Sequence, residues 1–469
     1  MKNIFLDSSN DCLSSHPITV QKKTAFLKKL TPIWLPYVVI GLLPFSPTIS
    51  NAKTQDEQNQ NTTIQAKSNS SRPMTLDMVY RSALEQTSTE MESQNRIEQS
   101  KLNVQIAKGR MLPTIDLNGR HIHQDPEAAS RLNRSSNQDD VTSAELTISQ
   151  PLFRGHQLRA GLAIAENFVN MASSERDQLR MSLYADVASL FYEIKLAEAE
   201  YVNLKNSSDL TLDRMNELEK RTKIGKSRRG EWLSARSQKA VIDSQLSGVQ
   251  GQVQKKREEL SLIAGVPNDI PLEAPVLNFE STDLAIYLSK IEEHPEIKSL
   301  NMQVNSADQE VAIAKGERLP TLDATGNYYL YRTGTLEGQT TWDLSLNISF
   351  PLFDGFINAN EIQIAKINEQ YIKLKLRQRK LAIQRQIEAT FKEILTAKKQ
   401  IYLLQQALRT TEANYKEQLK DYKNSLVTNL EVLQALNTFQ ETKRTLDRTK
   451  LQTELAVFNL KLMTFTIPN

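Results

Sequence analysis

Cysteine is nearly absent from this chain. Its 469 residues hold a single one, Cys12, and everything downstream is thiol-free. A disulfide framework, a thiolate metal site and a cysteine nucleophile are thereby excluded from the body of the protein. Glycine and proline are also sparse, with 15 and 16 residues, and little of either falls in the two long runs described below. The net charge of +3 gives no ground for a nucleic-acid partner. There is no GxSxG elbow and no HExxH pair, and no carboxylate pair falls in an identifiable pocket, so no hydrolase chemistry is indicated. Beyond residue 52 there is no apolar segment long enough to span a bilayer as a helix.

What is present begins at the N-terminus. Lys22, Lys23, Lys28 and Lys29 precede an apolar run from Leu30 to Ile49, followed by Ser50-Asn51-Ala52. Basic region, apolar core and small-residue site in that order predict a secretory signal peptide over 1–52, cleaved after Ala52. Pro32, Pro36, Pro44 and Pro47 interrupt the run, which argues against a transmembrane anchor. No cysteine stands at the cleavage site, so no lipid anchor is expected. Residues 53–73 are rich in Gln, Asn, Ser and Thr and read as a disordered linker.

The rest of the chain repeats itself. Ala107-Lys108-Gly109-Arg110-Met111-Leu112-Pro113-Thr114-Ile115-Asp116 returns as Ala314-Lys315-Gly316-Glu317-Arg318-Leu319-Pro320-Thr321-Leu322-Asp323. Ser149-Gln150-Pro151-Leu152-Phe153 returns as Ser349-Phe350-Pro351-Leu352-Phe353. A period of about 200 residues is too long for a solenoid unit. It predicts a duplicated half-domain, 74–280 and 281–469. Each half contains a helix, a strand pair (112–153 and 319–353) and a long helical hairpin.

The strand pairs alternate. Trp342, Leu344, Leu346, Ile348 and Phe350 interleave with Asp343, Ser345, Asn347 and Ser349. Leu322, Ala324, Gly326, Tyr328 and Leu330 do so with Asp323, Thr325, Asn327, Tyr329 and Tyr331, and shorter runs around Ile115 and Leu146 match them. Period two gives one apolar and one polar face. Such a sheet covers a soluble core or faces lipid in a barrel. Four strands do not close a barrel alone, so the lipid reading requires several chains to share one.

After each strand pair comes a helical run of about 65 residues, about 100 Å. Ile387, Ile394, Ile401, Leu408, Tyr415 and Tyr422 fall seven apart, as do Val187, Ile194, Tyr201, Ser208 and Met215. The returning helices keep the spacing at Val432, Phe439, Leu446 and Leu460 and at Trp232, Lys239, Leu246 and Leu260. Heptads predict coiled-coil packing, with turns near Gly225 and Ser425. The basic stretch 373–380 lies inside a helix and reads as a solvated face.

With these features in order and in duplicate, the chain resembles the TolC family of outer membrane efflux and type I secretion channels. The match rests on Leu112-Pro113-Thr114 and Leu319-Pro320-Thr321 before the strands, and on Gln150-Pro151-Leu152-Phe153 and Phe350-Pro351-Leu352-Phe353 after them. His294-Pro295-Glu296-Ile297 and Glu431-Val432-Leu433-Gln434-Ala435 add to it. The resemblance implies a mainly α protein with a membrane β-barrel portion. Four strands per protomer would enter a twelve-stranded barrel in a homotrimer, and the helices would form a coiled-coil tunnel through the periplasm. It also implies outer membrane lipid around the barrel, a periplasmic adaptor protein, an inner-membrane ABC or proton-driven transporter, no cofactor and no catalysis.

The resemblance further assigns candidate sites. Pro151 and Pro351 would turn the chain from barrel to helix. Ile224, Gly225, Lys226 and Ser227, with Ser425, Leu426, Val427 and Thr428, would be adaptor-docking tips. Glu431, with Gln434 in place of a second acid, would ring the aperture, and Tyr422 would belong to its closing network. Val427 stands where the type member has an arginine, so that latch must differ. A secreted coiled-coil scaffold or adhesin without a pore is the alternative, and it has no use for amphipathic strand pairs. Two further motifs fail. Gly225-Lys226-Ser227 resembles the end of a phosphate-binding loop, but Lys220 occupies the required glycine position. His121 and His123 share a strand face without further candidate ligands nearby, which favours a pore-facing or loop-proximal pair over a metal site.

Overall fold

The computed structural model describes residues 73–123, 140–274, 279, 283–332 and 341–464. The expected signal peptide, and the linker up to Pro73, lie outside them. Strand β1 (Met74–Thr75) leads into α1 (Leu76–Gln86), α2 (Thr89–Gly109), β2 (Thr114–His123), β3 (Asp140–Arg154), α3 (Gln157–Lys223) and α4 (Arg229–Ala264). Strand β4 (Leu272–Glu273) and α5 (Leu284–Ser289) open the second half. A short 3-10 turn (Lys290–Glu293), α6 (Pro295–Gly316), β5 (Thr321–Arg332), β6 (Trp342–Ser349), α7 (Ile357–Lys423) and α8 (Asn429–Met463) complete it.

The duplication is therefore structural. Helices α3 and α7 each have 67 residues, and α4 and α8 return over 36 and 35. The outgoing helix is nearly twice as long as its returning partner in both halves, an asymmetry that the heptads alone did not announce. Among the described residues no helix is both long and apolar enough to cross a membrane.

The heptad residues are the ones that pack. Val187, Ile194, Ile387, Ile394, Val432, Leu446, Leu260 and Leu460 are buried. Part-way along α3, α1 and the ends of α4 and α8 close on it: Leu76, Tyr80, Tyr184, Phe191, Tyr192, Leu260 and Phe458 form one core cluster. A second cluster joins Ile297 of α6 to Ile383, Ile387, Phe391 and Ile394 of α7 and Leu460 of α8. A third lies towards the turns, where Leu218, Ala235, Tyr422 and Val432 bring all four long helices together. Polar insertions punctuate the seams. Ser208 and Lys239, both at heptad positions, each bind Asp243 at 2.6 Å.

One four-stranded antiparallel sheet takes its strands from both halves in the order β2-β3-β5-β6. The register repeats with the sequence: Thr114 faces Ser149 in the first pair, and Thr321 faces Ser349 in the second. The middle pair, β3 with β5, joins the halves, setting Thr147 opposite Asn327 and Ile148 opposite Gly326. Strands β2 and β6 are the open edges.

The passage from strand to helix differs from the expectation in one respect. Pro351 lies past the end of β6, in the connection, but Pro151 remains inside β3. It is tolerated there because the register shifts between Pro151 and Phe153, and a bulge has no ladder bond for the missing N–H to make. The turns themselves fall on Gly155-His156 and Gly355-Phe356, all four with φ between 57° and 67°. A left-handed backbone is costly for His and Phe. The preceding phenylalanine of each Pro-Leu-Phe motif packs edge-on against that residue, Phe153 on His156 at 5.4 Å and Phe353 on Phe356 at 5.7 Å between ring centroids.

Candidate channel wall and helical tips

The sheet leaves its apolar face uncovered. Leu344, Leu346 and Ile348 are 70%, 66% and 74% exposed, and Ile115, Leu117, Tyr328 and Trp342 are exposed beside them. In a water-soluble sheet this face would be the buried one, because covering it contributes about 25 cal/mol per Å². The alternation holds until Leu330, where β5 carries an extra residue between the partners of Ala144 and Glu145, so the expected phase ends there.

The opposite face is polar and internally bonded. Asn118 of β2 donates to the Thr147 hydroxyl of β3 at 3.2 Å, and that hydroxyl donates to Asn327 of β5 at 3.1 Å. Asn327 and Tyr329 then donate to the two carboxylate oxygens of Asp343 of β6, at 3.0 and 2.7 Å. The chain of bonds crosses every strand and arrives at both open edges. His121 and the Thr142 hydroxyl, 2.8 Å apart, keep the phase of Ile115 and Ala144 and so belong to the other face, near the far ends of β2 and β3. Among the described residues no group of three or more His, Cys, Asp or Glu side chains could hold a metal.

The two halves meet closely beneath the sheet. A Cβ on Gly155 would fall 2.2 Å from the Gly316 carbonyl oxygen, and one on Gly316 would fall 2.3 Å from that of Gly155. Only glycine permits this approach. The equivalent residues one repeat away, Gly355 and Gly109, meet nothing within 4 Å. Helix α7 likewise leaves Ile364, Ile367, Tyr371 and Leu374 exposed, a three–four spacing that marks an unoccupied coiled-coil seam.

At the far end, each hairpin turns through five residues. Both turns close by the same paired hydrogen bonds. In the first, Lys226 N–H reaches Arg221 O and Gly225 N–H reaches Thr222 O, at 2.8 and 3.1 Å. In the second, Leu426 reaches Asp421 and Ser425 reaches Tyr422, at 2.9 and 3.0 Å. This is the Schellman arrangement, whose left-handed position favours glycine. Gly225 and Ser425 occupy it, with φ of 74° and 65°. Ile224, Lys226, Leu426 and Thr428 are exposed, and Ser227 and Val427 are half-buried.

Just beyond the second turn, Glu431 and Gln434 share the exposed side of α8, opposite buried Val432, Leu433 and Leu436. Glu431 reaches back to its own turn. The Thr428 N–H and hydroxyl donate to it at 2.6 and 2.9 Å. Those two bonds, the backbone one foremost, hold its carboxyl below the ordinary glutamate range.

Tyr422 is buried, and its hydroxyl donates to Glu231 of α4 at 3.2 Å. Ser227 donates to the same oxygen at 2.5 Å. Beneath the Tyr422 ring, 3.8 Å from its centroid, sits the Arg214 guanidinium. It donates to Asn429 of α8 at 2.9 Å and to Glu217 at 2.7 Å, with its side chain only 2% exposed. The family resemblance singles out Tyr422 and Glu431 but not Glu231, Arg214 or Asn429. Glu231 carries a usable signal, because it stands at the position of Glu431 one repeat earlier. Arg214 carries none, since a charge inside a heptad run gives no sign of its burial.

The architecture is a twofold repeat of helix, strand pair and long helical hairpin. The outer membrane efflux protein family matches residues 79–266 and 287–464, one copy on each half, and the chain belongs to that family. Among curated relatives, Protein CyaE of Bordetella pertussis is 22% identical over 317 residues, 65% of each chain. Outer membrane efflux protein BepC of Brucella suis is 22% identical over 229 residues, 47% of this chain and 49% of BepC. The chain thus spans about half to two thirds of the length of these relatives. Among solved structures, the outer membrane protein VceC of Vibrio cholerae superposes with a TM-score of 0.73 at 18% identity, covering 83% of this chain and 94% of VceC. The CmeC outer membrane channel of Campylobacter jejuni gives 0.70 at 16%, covering 83% and 85%. The protein is accordingly placed in the bacterial outer membrane, and the expected resemblance holds.

Proposed function

We propose that three copies of this chain close into one outer membrane exit duct, a passive conduit for efflux or secretion. The observation that carries the reading is a sheet with an exposed apolar face, a bonded polar face and two open edges. Lipid accepts such a sheet only if the edges are paired. The duplication supplies the pairing: β6 of one copy would join β2 of the next as β3 joins β5 within the chain. Gly355 would then meet Gly109 of the next copy as Gly155 meets Gly316, and the α7 seam would be covered by α2 of that copy. Twelve strands give a barrel wide enough for a water-filled interior, and the polar bonds from Asn118 to Asp343 would face it. The helical hairpins would extend the duct through the periplasm to an adaptor and an inner-membrane transporter docked at the tips.

Glu431 would line the narrow end. Three such carboxylates in a ring attract cations. Purified protein in planar lipid bilayers tests the reading: discrete conductance steps are expected, with cation selectivity and divalent-cation block weakened by Glu431→Gln. A protein that inserts but never conducts would contradict it.

A further inference from the structure

The strand-to-helix passages of the two halves differ in one charge. Arg154 ends the first, and it donates through Nε and Nη2 to one Asp323 oxygen of β5, at 2.9 Å each. In the second passage Asp354 stands in the place of Arg154, and Asp116 of β2 is the repeat equivalent of Asp323. Strand β3 runs on past Ser149 because β5 lies beside it, setting Pro151 opposite Asp323 and Arg154 opposite Thr321. Strand β6 stops at Ser349, and among the described residues its outer edge is unpaired. In the ring proposed above, β2 of the next copy takes that edge. The pairing of β3 with β5 then carries over as Pro351 opposite Asp116 and Asp354 opposite Thr114. A salt bridge within the chain becomes two carboxylates between copies.

Asp354 has a local role. Its carboxylate accepts the Asn358 N–H at 3.0 Å in the first turn of α7, where negative charge suits the helix. That bond accounts for an acid at 354 and leaves the junction without its cation. Asp116 is exposed, and among the described residues its side chain makes no hydrogen bond or ion pair. Water satisfies it while the edge is open. In the closed junction within the chain, however, the matching Asp323 side chain is only 25% exposed, so closure removes much of that water. Arg110 enters the neighbourhood in place of Glu317. Both cap the preceding helix with φ of −64°. Glu317 faces its own half, where burial and a hydrogen bond with Glu361 of α7 hold its carboxyl above the ordinary range. On the same course Arg110 faces α3 of its own copy, away from the edge.

Resting on the reading of this chain as one third of a closed ring, we infer that Asp354 and Asp116 of the next copy repel each other across every junction between copies, so that closure of the ring depends on ionic strength. Aspartate is shorter than arginine, so the two carboxylates stand apart instead of touching. Their repulsion spans the gap in 0.01 M salt, where the screening length is about 30 Å, and is screened out in 1 M salt, where it is about 3 Å. The junction within the chain, held by Arg154 and Asp323, carries attraction at the same place. The ring therefore comes apart between copies and not between halves.

The test follows the temperature at which the full-length oligomer, extracted from outer membranes, separates into single chains in 0.01 M and 1 M NaCl. For the parent that temperature should rise with salt. Asp116→Arg restores a cation opposite Asp354 and leaves the α7 cap in place. It should raise the separation temperature by about 5 °C in dilute salt and reverse the sign of the salt response, which a change in packing alone does not do. Asp116→Asn and Asp354→Asn, which keep the shape and the capping oxygen, should each flatten the salt response, and the double variant should add nothing to either. A parent whose separation temperature exceeds that of Asp116→Arg in dilute salt, a salt response unchanged by the asparagines, or two asparagine effects that add would overturn the inference. If the parent gives no three-chain species when β2 and β6 are cross-linked through Gly119→Cys/Ile348→Cys, the ring reading itself fails. A ring that forms without the salt response overturns the inference alone.

Discussion

The Tyr422 hydroxyl, at the end of α7, lies 3.2 Å from the Glu231 carboxylate at the start of α4, so one bond ties the second hairpin to the first. Arg214, under the same ring, ties α3 to α8 through Asn429. A hydrogen bond to a charged group contributes about 1.5–3 kcal/mol when buried. Glu231 is half-exposed, so about 1 kcal/mol is the reasonable figure for the Tyr422 bond. Arg214 combines a desolvated cation–π contact of about 2 kcal/mol with two hydrogen bonds. Tyr422→Phe should therefore loosen the tips mildly, and Arg214→Ala more strongly. Single-channel conductance and the heat stability of the assembled protein measure both. A larger effect from Tyr422→Phe than from Arg214→Ala would contradict this ordering.

The two faces of β6 give a second prediction. Leu346 lies on the exposed apolar face and Ser345 on the opposite one, where its hydroxyl donates to the Thr325 carbonyl at 3.3 Å. Arginine at Leu346 should cost about 2–4 kcal/mol if the residue sits near the bilayer midplane, and arginine at Ser345 should be mild. The yield of heat-resistant oligomer in outer membranes reads the difference. Equal tolerance at both positions would mean a soluble sheet.

Much of this architecture is legible in the amino-acid sequence. Period-two and period-seven patterns mark the strand faces and the helical seams, because burial acts directly on those periodicities. The doubled motifs place both turns and both halves. Other features leave no periodic trace. The bulge beside Pro151 keeps that proline inside β3, and it depends on pairing with a strand some 170 residues away in sequence. The burial of Arg214 depends on α7 and α8 arriving together, which no local window records. The approach of Gly155 to Gly316 is likewise a product of tertiary packing.

His294 yields a pH prediction. It is buried at the cap of α6, and its Nδ1 accepts the Glu296 N–H at 3.3 Å. Burial, aided by the nearby Arg379 charge and opposed by Glu296, pushes its pKa below the ordinary 6.5. The folded protein thus holds the neutral form, so the unfolded chain takes up the proton first as pH falls. The stability contributed is present above pH 6.5 and is lost as pH falls through the lowered value. Heat stability should drop between pH 7.5 and 5.5. His294→Asn, which keeps a neutral cap of about 1 kcal/mol at all pH values, should flatten that dependence. An unchanged slope in the variant would assign the effect elsewhere.

Ring closure between copies is the central claim, and one cross-link tests it most directly. Within the chain Ile148 faces Gly326 across β3 and β5. The equivalent residues on the open edges are Ile348 and Gly119, with space for a side chain at Gly119. Facing residues in antiparallel strands lie about 4.5–5.5 Å apart between Cα atoms, within disulfide reach. No other cysteine follows Cys12. Mild oxidation of Gly119→Cys/Ile348→Cys in intact outer membranes should give a covalent species of three chains and nothing larger, while either single variant stays monomeric under denaturing conditions. Monomer alone, or a ladder extending past three, would contradict a closed trimeric barrel.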